Sequence, residues 1–167
     1  GAIEELWKSG ARTFPSDWSR DGQRLAFTVS HTDTANDVWL LSMTGTPKAA
    51  PMLTSPYAQL HAQFSPDGKW LALTTNESGR EDVYVQSFPD SATRRLISSG
   101  GGSHPQWARD GRTLFYRAPD GWLMSIPFRA AGSSLEIGAP TSVMRLVDPP
   151  AVHTYPYGVA VDGRILA

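Results

Sequence analysis

Short apolar runs of strand length, separated by clusters of glycine, proline, aspartate and asparagine, recur from one end of the chain to the other. Arg24–Val29, Trp70–Thr75 and Thr113–Arg117 are rich in apolar residues. After a polar connection each gives way to a segment that alternates apolar and polar residues, Asp37–Leu41, Asp82–Phe88 and Trp122–Phe128. Fainter strands follow at Pro51–Thr54, Arg94–Ser98 and Thr141–Val147. Each apolar run is preceded by the same punctuation: a large ring, then an Asp-Gly turn three residues on. The pairs are Trp18 with Asp21-Gly22, Phe64 with Asp67-Gly68, and Trp107 with Asp110-Gly111. A weaker copy at the end has Val159 before Asp162-Gly163. In Ser65-Pro66-Asp67-Gly68 the proline presets φ for the second turn position and the glycine accepts the left-handed conformation that follows. Arg20, Arg109 and Val161 replace that proline and leave the turn allowed.

The four aspartates stand 46, 43 and 52 residues apart, a period that suits a four-stranded blade and exceeds that of helical pairs or leucine-rich repeats. The chain therefore reads as all-β: antiparallel β-propeller blades, with no helix longer than about two turns. Residues 11–55, 56–99 and 100–148 form three complete units. Residues 1–10 supply the outer strand of a preceding blade, with Ile3–Lys8 as its strand, and 149–167 begin a further one. Closure takes four to eight blades, so the pattern predicts a partial propeller that is a piece of something longer. Exposed apolar end faces then predict self-association, most simply a homodimer with Ile3–Lys8 and Tyr155–Ala167 at its contact.

Trp18, Phe64 and Trp107 share one repeat position and are expected to be buried between neighbouring sheets. Leu25, Leu71 and Leu114, followed by Ala26, Ala72 and Phe115, provide the next strand with apolar side chains that are expected to face the next blade. Candidate chemistry gathers three residues before each ring, where His61 and His104 stand, and one residue before it, where Asp17, Gln63 and Gln106 stand. Pro15 takes the histidine place in the first unit. In a propeller the first strand of each blade lines the central channel, so these groups are expected near one mouth. They form either a small-ligand or ion site or a set of bonds satisfying adjacent loops. The second reading is preferred, because two histidines do not make a metal site and no local spacing sets a third ligand.

Hydrophobic residues make up 40% of the 167 positions, enough to bury a core. Fifteen basic and sixteen acidic side chains leave a net charge of -1, so no chain-wide attraction to nucleic acid or anionic membrane exists. The absence of cysteine removes disulfides and thiolate chemistry. No apolar run approaches the roughly 18 residues of a membrane span, and Gly1–Glu5 lacks the basic and apolar regions of a signal peptide. Nucleophile-elbow, zincin and P-loop signatures are absent. Gly100–Ser103 precedes no helix-forming segment and reads as a connection between blades. No catalytic residue, metal or cofactor is expected.

The stretch Phe64–Leu73 resembles the TolB-like propeller repeats of bacteria, whose hallmark is an aromatic residue, Ser-Pro-Asp-Gly, a basic or polar residue and an apolar strand. Trp18–Phe27 and Trp107–Tyr116 resemble it with arginine for proline, and Val159–Ala167 lacks the ring. Phe14–Gly22, Asn76–Pro89 and Asp120–Met124 are more narrowly similar to C-terminal propellers of bacterial serine/threonine protein kinases and winged-helix regulators. That resemblance implies a sensory or protein-binding platform outside the cytoplasmic membrane, with a protein or peptide partner. No kinase motif is present. A different class stands beside it: an accessory propeller gating a prolyl-oligopeptidase-type hydrolase domain. A third reading places a lyase or hydrolase at the channel mouth through His61 and His104.

Overall fold

The Asp-Gly turns are joined to their strands by their own side chains, and the sheets grow outward from them. In the first, Gly22 N–H donates to Ser19 O at 2.9 Å, the Ser19 hydroxyl donates to Asp21 Oδ1 at 2.6 Å, and Gln23 N–H donates to the same oxygen at 3.0 Å. Ser65, Asp67 and Lys69 repeat these bonds at 2.9, 2.6 and 3.1 Å. Asp110 and Asp162 likewise accept from the amides of Arg112 and Arg164. Gly22, Gly68, Gly111 and Gly163 all have positive φ, which closes the turn at no steric cost.

The computed structural model describes residues 5–31, 35–131, 134–147 and 155–167. The first sheet has β1 (Arg12–Trp18), β2 (Arg24–Ser30), β3 (Asp37–Ser42) and β4 (Lys48–Leu53) in that order. The second has β5 (Gln59–Phe64), β6 (Trp70–Thr75), β7 (Asp82–Ser87) and β8 (Arg94–Leu96). In the third, β9 (Ser103–Trp107) and β10 (Thr113–Arg117) lead to β11 (Trp122–Ala131), on which both β12 (Ser134–Ile137) and β13 (Thr141–Arg145) pair. β14 (Gly158–Val159) and β15 (Ile165–Leu166) form a short ladder. Every pairing is antiparallel, and no helix occurs among the described residues. The fold is a partial β-propeller. β1, β5 and β9 touch in succession and so form its inner rim.

Alternation decides which neighbour each side chain meets. Leu71 and Leu73 of β6 turn toward the first sheet, packing with Ala26, Val38, Ala62 and Phe64. Trp70 and Ala72 turn the other way, into a cluster with Trp107, Leu114, Tyr116 and Phe128. Ala26 and Ala72 thus face the following sheet, but the expectation is corrected for Leu71 and Leu114, which face the preceding one because neighbouring side chains on a strand point to opposite faces. Gly102 sits where a Cβ would come 2.6 Å from the Tyr116 ring and 2.9 Å from Ser98 Cβ, so this connection requires glycine. The outer strands β4 and β8 carry Lys48, Pro51, Arg94 and Arg95, residues that discourage edge pairing.

Three further expectations are corrected. Trp18 is 46% exposed, while Phe64 and Trp107 are 6% and 8% exposed. Each of these rings turns to the preceding sheet, and Trp18 has none against it among the described residues. Within Ile3–Lys8, residues 3 and 4 lie outside the described residues, and Glu5–Lys8 forms no strand. Leu6 and Trp7 instead lie on the outward face of the first sheet. There the Trp7 ring is 5.0 Å from Phe27 and 5.8 Å from Trp39. The third blade also carries the added strand β12, because β11 runs on past Phe128 to pair Phe128 with Ile137 and Arg129 with Glu136.

Candidate functional site at the inner rim

Every inner strand contains one extra residue relative to its partner. The register slips between Pro15 and Asp17 in β1, between Leu60 and Gln63 in β5, and between Ser103 and Gln106 in β9. In β5 and β9 the slip is accommodated by His61 and His104, both at φ 55°. Left-handed geometry is uncommon for a side chain with a Cβ, and at a bulge it re-aims that side chain. Both imidazoles point to the same place and stack, with centroids 3.8 Å apart and planes at 27°. Each residue is almost completely buried. Pro15 cannot adopt a positive φ, so the first unit has no equivalent.

The pair is held from three directions. Thr74 Oγ1 of β6 lies 3.4 Å from His61 Nδ1 and accepts from His104 N–H at 3.2 Å. Ser103 Oγ lies 2.9 Å from His104 Nδ1. Tyr155 stands edge-on to both imidazoles, 5.6 Å from each. Desolvation pushes its hydroxyl well above the usual phenol range, and the negative charge of Asp17 acts in the same direction. Tyr157 donates its hydroxyl to His104 O at 2.6 Å.

Asp17, Gln63 and Gln106 link the rim from blade to blade. Asp17 Oδ2 accepts from Phe64 N–H at 2.8 Å, and Gln106 Oε1 accepts from Val159 N–H at 3.1 Å. Phe64 and Val159 occupy one repeat position, so the same bond recurs at two junctions. Gln106 also donates to Tyr157 O at 2.9 Å. Gln63 turns back to Ser16 O at 3.4 Å and reaches the Tyr155 hydroxyl at 3.5 Å, while its own carbonyl accepts from Trp107 Nε1 at 3.3 Å. Burial pushes the Asp17 carboxyl up to about 6; the Phe64 and Trp18 amides and the Arg20 charge oppose that shift.

The structure thus joins His61, His104 and Gln63 through Tyr155, and joins Gln106 to His104 only through Tyr157. Asp17 and Gln106 end at different junctions. Ser103 and His104 form a hydroxyl–imidazole pair, but the serine meets Nδ1, the nitrogen that an orienting carboxylate holds in a Ser-His-Asp triad. Among the described residues no group of three histidines or carboxylates is placed to hold a metal. Sequence reasoning missed Tyr155, Tyr157 and Thr74. Counting back seven and five residues from Asp162, as Leu60 and Ala62 lie from Asp67, would have put both tyrosines on a fourth inner strand.

No protein-family model matches the chain. Among solved structures it is similar to a TolB-like protein of Agrobacterium tumefaciens, at 14% identity over 83% of this chain and 51% of that one, with a TM-score of 0.62. It is also similar to TolB from Acinetobacter baumannii, at 16% identity over 83% of this chain and 34% of that one, TM-score 0.61. A puromycin hydrolase matches at 15% identity over 96% of this chain and 34% of its own, TM-score 0.54. The fold is therefore that of a TolB-like propeller. The chain spans about half the length of the first of these structures and about a third of the other two.

Proposed function

We propose that this chain is a non-catalytic binding module that presents one propeller face to a protein or peptide partner. The observation that carries this reading is where the polar groups go. At the inner rim they bond to one another and to the backbone of adjoining blades. On the face carrying the Asp-Gly turns, a cleft of about 660 Å³ opens between the second and third blades. Its volume falls within the roughly 300–1,000 Å³ of ordinary ligand pockets. The TolB likeness supports the same class, and the motif resemblance extends it to a sensory propeller joined to a kinase or winged-helix regulator, outside the cytoplasmic membrane. Peptide display on the immobilised chain tests it: enriched peptides are expected. Instead, peptide or ester hydrolysis by the chain that is abolished by His104→Ala would overturn it.

The likeness to puromycin hydrolase favours a second reading, a propeller that gates a hydrolase domain. The parent reading frame separates the two, since a serine hydrolase domain downstream supports gating and an upstream kinase or winged helix supports sensing. We also propose that the isolated chain pairs through its ends, where Trp18, Val161 and Leu166 are exposed. Light scattering is expected to show a dimer at micromolar concentration; a monomer would remove this part of the proposal.

A further inference from the structure

The cleft on the turn face differs from its counterpart one junction earlier. Between the first and second blades the equivalent depression is about 300 Å³. There the Arg24 guanidinium lies 5.5 Å from the Phe88 ring centroid and 3.6 Å from Asp21 Oδ2, so its charge is already matched. Between the second and third blades Trp70 replaces that arginine and meets Phe128 edge-on at 5.9 Å, giving the larger cleft an apolar floor.

Four guanidinium groups stand around that floor: Arg20 and Arg109 on two turns, Arg112 just after the second of these, and Arg129 on β11. All four residues are exposed. Arg20 donates to Arg109 O at 3.2 Å, which draws the first blade's turn over the cleft. Among the described residues no ion pair holds Arg109, Arg112 or Arg129. The facing acidic groups are Asp67 and Asp110, whose Oδ1 atoms already accept from their own turns. Glu136 lies opposite Arg129 in the β11–β12 register, at the rim of an adjoining depression. Four cations against two turn-bound carboxylates leave this cleft positive in a chain whose net charge is -1.

We propose that this cleft binds an acidic peptide segment in extended conformation, its carboxylates on Arg109, Arg112 and Arg129 and an intervening apolar side chain over Trp70 and Phe128. The proposal rests on the reading of the chain as a protein-binding module and names the partner's chemistry. Arginine matches a carboxylate with two parallel donors. A nucleic acid fits less well, because the two rim aspartates, Asp67 and Asp110, interrupt the basic track that a phosphate backbone would follow. The site lies between two complete blades and needs nothing from the chain's ends. Exposed pairs of this kind are individually weak and screened by salt.

The test is fluorescence anisotropy with a labelled six-residue peptide alternating glutamate and leucine, at about 20 mM salt, where screening is slight. Binding on the order of tens of micromolar is expected. It should weaken at least ~10-fold in Arg112→Glu/Arg129→Glu, and also in Arg109→Ala/Arg112→Ala, which keeps Arg129 opposite Glu136. An unchanged melting temperature shows that each variant is folded. Arg164→Glu, an exposed charge in the connection between β14 and β15, should leave binding unchanged. Equal binding of a lysine–leucine peptide, tighter binding of an oligothymidylate, or indifference to both double variants would each overturn the acidic-peptide site. Displayed peptides that bind the chain and are not displaced by the glutamate peptide would sink this proposal while leaving the binding-module reading intact. Failure to enrich any peptide would sink that broader reading.

Discussion

Trp18 and Trp107 are the same residue at the same repeat position, yet one is 46% exposed and the other 8%. What separates them is the neighbour. The Trp107 ring lies 4.6 Å from Phe128, packs with Trp70 of the preceding sheet, and donates Nε1–H to Gln63 O. Trp18 projects from the first sheet toward a side on which the described residues place no sheet. A repeat residue therefore has a role only as half of a junction, and its energetic weight is set by the other half.

The largest effect that could break this comparison is at the internal junctions. Phe64→Ala and Trp107→Ala should each lower stability by about 3–5 kcal/mol in urea unfolding, because each leaves a cavity between packed sheets. A loss under ~1 kcal/mol at either site would show that these rings do not hold the junction. Next is Gly102→Ala. The added carbon must displace the Tyr116 ring and Ser98, so the second junction should weaken by about 1–3 kcal/mol even though a side chain is gained.

A smaller effect, of about 2 kcal/mol, should appear as pH dependence at the first junction. The folded state holds the Asp17 carboxyl at about 6 against an ordinary value of 3.8, so it favours the protonated form. The resulting stability is full below about pH 4 and is lost as pH rises through about 6. Asp17→Asn should flatten the difference between pH 4 and 7, read from unfolding midpoints of the two proteins at each pH. Parallel profiles would count against a buried, strained carboxyl. Smallest is Trp18→Ala, expected to cost under ~1 kcal/mol in the monomer, at concentrations too low for the ends to pair. If it costs as much as Trp107→Ala at micromolar concentration, a second copy covers it.

What the sequence made legible was what is local. The turns close through bonds spanning a few residues, so Asp21-Gly22 and Asp67-Gly68 announce their geometry wherever they stand. The alternating strands announce the pleat. Long-range features stayed hidden for matching reasons. Trp18's exposure depends on a neighbour that a repeat alignment assumes. The β11–β12 hairpin is a lengthening of one copy, with no counterpart to align. At the rim, His61 and His104 share a repeat position that was easily seen, but their left-handed backbone and mutual stacking arise from a bulge that no residue type specifies. The arginine cleft draws on three turns and a strand end, which look like scattered surface charges until the blades are stacked.

The central blade has a further property. Every residue of β6 is buried, and its two faces are gripped by different neighbours, Leu71 and Leu73 on one side and Trp70 and Ala72 on the other. In a stack whose units interact only with nearest neighbours, an end blade can detach by breaking one junction, whereas the middle one must lose two. Amide hydrogens of Trp70–Thr75 should therefore exchange with solvent most slowly, near the rate set by global opening, with protection falling through β2 and β10 to β14.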